Sequence, residues 1–65
     1  MASSAFPLPT LPGVVFANLP STPIPGMLAY ITDSNTVTWG ATIAGGSTNA
    51  VLGWWNGAHW TVVGK

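Results

Sequence analysis

Asp33, His59, Tyr30 and Lys65 are the only titratable side chains in this sequence, apart from its termini. Side-chain catalysis needs an acid, base or nucleophile oriented by a partner. Asp33 directly follows the β-forming run 27–32, where an Asx turn accounts for it. His59 stands just after an Asn-Gly pair and beside Trp60, where packing or a cross-strand contact accounts for it. No Ser/His/acid triad and no pair of carboxylates can be assembled within one chain, so the expectation is a protein that is not an enzyme. With Cys 0 and His 1 no metal site is expected. "AGG" at 44–46 lacks the Lys-Ser/Thr ending and the following helix of a phosphate loop, so no cofactor is expected.

What chemistry remains belongs to indoles. The stretch "VLGWWNGAHWTVV" (51–63) groups Trp54, Trp55 and Trp60 around Asn56-Gly57. An apolar platform with a few polar groups is the recipe of a small-ligand pocket. Trp54 with Asn56 and His59 would therefore suit a host-surface glycan. The competing reading buries the indoles, because a short chain must build its core from few residues.

Composition favours burial between copies. A chain of 65 residues hides only about 60% of the surface that its unfolded state exposes. Disulfides and a structural metal, the usual staples of small domains, are both missing, which leaves oligomerisation. Charged residues make up 3% of the chain and its net charge is +0, against roughly 25% charged residues in an ordinary soluble domain. Such a surface associates unless it is covered. One Lys cannot neutralise a phosphate backbone, so nucleic acid is excluded as a partner. Membrane insertion is not expected either. Every apolar stretch is interrupted by Pro, Gly, Ser, Thr or Asn well short of the roughly 20 residues of a spanning helix, and the basic face of an interfacial helix is lacking. "MASSAFPLPTLPG" has no basic n-region and no Pro-free apolar run, so synthesis in the cytoplasm without a signal peptide is expected.

The elements that must position these residues divide at Gly26. All 6 prolines precede it, which forbids a helix or a central strand and makes residues 1–25 an extended Pro-rich arm. Its apolar residues, among them Phe6, Leu8, Leu11, Val15 and Phe16, are too numerous for a solvated linker and are expected to anchor the arm on a neighbouring surface. "GVVFANL" (13–19) offers one short edge strand. Residues 26–65 read as a small β domain: a strand at 27–32, a turn at 33–35, a second strand at 36–44 bent at Gly40, a turn at 45–49, and the Trp-rich hairpin.

Asn-Gly between alternating large residues signals a two-residue hairpin loop. That loop pairs Trp55 with Ala58, Trp54 with His59, Gly53 with Trp60 and Leu52 with Thr61. One face then holds Val51, Gly53, Trp55, Ala58, Trp60 and Val62, and the other Ala50, Leu52, Trp54, His59, Thr61 and Val63. Neither face is polar, so both are expected to be covered. The expected fold is all-β: a small antiparallel meander completed by oligomerisation, as a trimer. Trp39, Trp54, Trp55, Trp60, Tyr30, Leu52 and Val62 are expected to form the interface and core.

From about Leu19 to Val63 the chain resembles a short Gly/Trp-rich β module of tail fibres and other virion proteins of tailed bacteriophages. "GMLAYITDS", "WGATIAGGSTNAVLGWWNG" and "HWTV" carry the likeness, and the matching positions are Gly26, Ala29, Tyr30, Ile31, Asp33, Gly40, Gly45, Gly46, Asn56, Gly57 and Trp60. Ser47 departs from the pattern, in which a third Gly often follows the pair. The resemblance implies a structural protein of the phage particle, with larger capsid or tail and fibre proteins as partners besides copies of itself. A chain too short for a shaft points to capsid decoration or a fibre or tail accessory, with a receptor- or carbohydrate-binding fibre tip as the alternative.

Overall fold

A computed structural model describes residues 8–65, so Phe6 of the expected anchor lies outside the described residues. The chain is all-β. Strands β1 (Gly13–Val14), β2 (Leu28–Ser34), β3 (Asn49–Trp55) and β4 (Trp60–Gly64) form one sheet in the order β1-β2-β3-β4. A 3-10 turn at Phe16–Asn18 follows β1.

The sheet is mixed. β2, β3 and β4 form the expected antiparallel series, but β1 lies parallel to β2, with Gly13 beside Tyr30 and Val14 beside Ile31. Parallel neighbours need a long crossover, and the Pro-rich stretch between β1 and β2 provides it. Thr32 Oγ1 donates to the Val14 carbonyl at 3.2 Å and fastens the short edge strand.

The expected strand at 36–44 does not form. Only Thr42 bridges to Thr61. Ser34 and Asn35 explain this, since their side chains capture backbone groups that a strand would need. Ser34 Oγ donates to the Thr36 carbonyl and accepts the Thr36 amide, while Asn35 Oδ1 accepts the Ala44 amide. The Asn35 amide donates to the Ala44 carbonyl, closing the base of a loop. That loop still covers the free edge of β4: the Gly40 amide donates to the Val62 carbonyl, the Val62 amide to Ala41, and the Ile43 amide to Trp60. A protected edge resists pairing with foreign strands.

The hairpin register also differs. Trp55 faces Trp60 rather than Ala58, Trp54 faces Thr61, and Gly53 faces Val62. Asn56 widens the loop, because its Oδ1 accepts the amides of both Ala58 and His59 while its own amide donates to the His59 carbonyl. Partners shift by two positions, and a shift of two returns each strand residue to its original face. Past Gly53 a bulge places Gly64 opposite Leu52.

One face of the sheet builds the core. Ile31, Val51, Trp60 and Val62 meet Ile43 from the loop, with Phe16, Leu19, Met27, Ala29 and Trp55 packed around them. Phe16 and Leu19 belong to the stretch expected to serve as an arm, yet they pack on this chain's own core. Gly53 sits where the core closes on the backbone: a Cβ there would lie 2.7 Å from Ile31 Cδ1 and 3.1 Å from Ile43 Cδ1, so those methyls would have to shift.

Candidate self-association surface

The alternation that sends Ile31 and Val51 inward sends Leu28, Tyr30, Leu52 and Trp54 outward. Register joins them into a patch, with Leu28 opposite Trp54 and Tyr30 opposite Leu52. Leu28 remains 49% exposed, Tyr30 41% and Trp54 40%. Residues 9–11 rise along one side of this patch. Pro9, Thr10 and Leu11 form a wall and Leu28, Tyr30 and Leu52 a floor, enclosing an open groove of about 430 Å³.

No charged side chain lines the groove. Asp33, the only acid, is engaged elsewhere: its Oδ1 accepts the Phe16 amide at 2.7 Å and its carbonyl accepts the Ser47 amide. The carboxylate thus ties the 3-10 turn to the end of β2, a longer-range role than the Asx turn expected from its neighbours. A second groove, of about 380 Å³, runs between Phe16, Pro20, Pro23, Trp55 and Trp60.

Of the residues expected at the interface or core, Trp60 and Val62 are buried within the single chain. Trp55 is half-buried across the hairpin from Trp60, with ring centroids 5.7 Å apart and planes tilted by 58°. Tyr30, Leu52 and Trp54 share the outer face. Trp39 is separate and 61% exposed. It occupies the second position of a turn in which the Ala41 amide donates to the Thr38 carbonyl, and Gly40 at the third position has φ +79°. Positive φ at that position is the glycine requirement of a type II turn.

The anchor set is divided as well. Phe16 packs into the core, Leu11 walls the groove, and Leu8 and Val15 are exposed. Of the glycan set, Trp54 lies on the outer face while Asn56 and His59 lie on the hairpin loop, and none of the three lines either groove. Asn56 Oδ1 is already occupied by two backbone amides. Leu28 was missed in the sequence, as was the wall at 9–11, of which only Leu11 was named, and as an anchor. Leu28 shares parity with Tyr30, a signal that could have found it; the wall had no local signal.

Among the described residues no group of three or more His, Cys, Asp or Glu converges, and no helix is long and apolar enough to cross a membrane. Comparison with protein-family models, with curated proteins and with solved structures finds no match.

Proposed function

We propose that this chain is a non-enzymatic structural protein of a tailed-bacteriophage virion, a small β protein that associates with itself as a trimer. It serves as capsid decoration or as a fibre or tail accessory, and its N-terminal segment holds it to a larger virion protein. One observation carries the self-association: the sheet completes a core on one face and leaves an uncharged apolar groove on the other. Register makes Leu28, Tyr30, Leu52 and Trp54 neighbours on that outer face, and a second copy laid there would remove their apolar surface from water. The phage setting rests on the Gly, Asn-Gly and Trp pattern described above.

Mass spectrometry and immunogold labelling of purified phage particles test the setting. The chain should be present at a fixed copy number per particle; its confinement to infected-cell lysate, with none in particles, would refute it. A second reading, a glycan-binding fibre tip, draws on the exposure of Trp54 and His59. It requires glycan binding that disappears in Trp54→Ala particles that still assemble.

A further inference from the structure

The β3–β4 loop carries chemistry that the outer face of the sheet does not use. Asn56 and Gly57 are both exposed there. An asparagine can be attacked at Cγ by the main-chain nitrogen of the residue that follows it. Three local features govern that attack: the bulk of the following side chain, the engagement of its N–H, and the polarisation of the Cγ carbonyl. Gly57 has no side chain, and where one would stand only Pro25 Cγ comes near, at 3.9 Å. Among the described residues the Gly57 amide donates to no acceptor. Asn56 Oδ1 accepts the Ala58 amide at 2.9 Å and the His59 amide at 2.8 Å. These two bonds fold the side chain back along its own following peptide and aim two fixed donors at the carbonyl oxygen.

We propose that this loop makes Asn56 a site of intramolecular deamidation, with solvent water as the only co-reactant. The Gly57 nitrogen gives its proton to solvent and bonds to Asn56 Cγ; the Cγ–Nδ2 bond then breaks and the side-chain nitrogen leaves as ammonia. Water next opens the resulting five-membered imide. Opening at Cγ gives aspartate, opening at the main-chain carbonyl gives isoaspartate, and either restores the Gly57 N–H. Negative charge gathers on Oδ1 as the nitrogen adds, and preorganised donors at such an oxygen stabilise that state. The other asparagines lack this combination. Asn18 precedes Leu19, whose amide donates to the Phe16 carbonyl, and Asn35 precedes Thr36, whose amide donates to Ser34 Oγ. Asn49 has its leaving group held, because Nδ2 donates to the Ser34 carbonyl. Conversion of Asn56 adds a carboxylate to a chain whose net charge is +0. The aspartate product keeps an acceptor for Ala58 and His59, now a charged and stronger one, whereas isoaspartate lengthens the loop backbone.

Timed incubation of the full-length chain in mildly alkaline buffer tests this, run in parallel with the same chain unfolded in guanidinium chloride. Far-UV circular dichroism follows the folded state, isoelectric focusing detects the added charge, and peptide mapping by mass spectrometry locates the converted residue. Labelling with an isoaspartate-specific methyltransferase distinguishes the two products. Asn56 should convert before Asn18, Asn35 and Asn49, and several-fold faster in the folded chain than in the unfolded one. Slower conversion of Asn56 in the folded chain would overturn the proposal, because the two bonds to Oδ1 would then be a lock on the side chain. Earlier conversion of another asparagine, or a folded chain that keeps every amide while the unfolded chain loses that of Asn56, would overturn it equally.

Discussion

Asp33 shows how much one side chain does in a chain with so few charges. Its carboxylate accepts the part-buried Phe16 amide, and Phe16 in turn packs against the core. Asp33→Ala leaves that amide without an acceptor. Hydrogen bonds to charged groups contribute about 1.5–3 kcal/mol, so urea unfolding should show a loss of that order, smaller for Asp33→Asn. Gly53→Ala tests close approach instead of polarity. The added methyl meets two isoleucine methyls in a filled core, and overpacking of this kind costs typically 1–3 kcal/mol. Thermal unfolding should register the loss with little change in far-UV circular dichroism.

At the scale of elements, hydrophobic alternation was legible and the hydrogen-bonding competition was not. The runs 27–32 and 50–55 gave β2 and β3, and the faces of the hairpin strands were correctly sorted, because period-two patterning survives a register shift of two. The run 36–44 has the same β-rich composition. It loops because Ser34 and Asn35 bind its backbone ends, an interaction with no periodic signature. Asn56 misled for a related reason: Asn-Gly marks a turn, but the side chain caps two amides and so fixes a longer loop. Asn56→Ala should therefore loosen the β3–β4 loop. Amide exchange at Ala58 and His59 should quicken, with a stability loss of about 1 kcal/mol, the typical net worth of a hydrogen bond.

At the scale of the whole molecule, composition announced a surface in need of cover. Register and the path of residues 9–11 place an apolar groove on the outer face of the sheet. Faces were legible because they follow from parity; the groove was not, because its wall comes from residues distant in sequence from its floor. Two apolar faces were expected to meet other copies, and the chain covers one of them itself with Phe16, Leu19 and Ile43. The other is the surface that should join copies. Sedimentation equilibrium of the full-length chain across micromolar concentrations measures this most directly. The account predicts a discrete oligomer that dissociates on dilution, and a folded, soluble monomer at every concentration would contradict it.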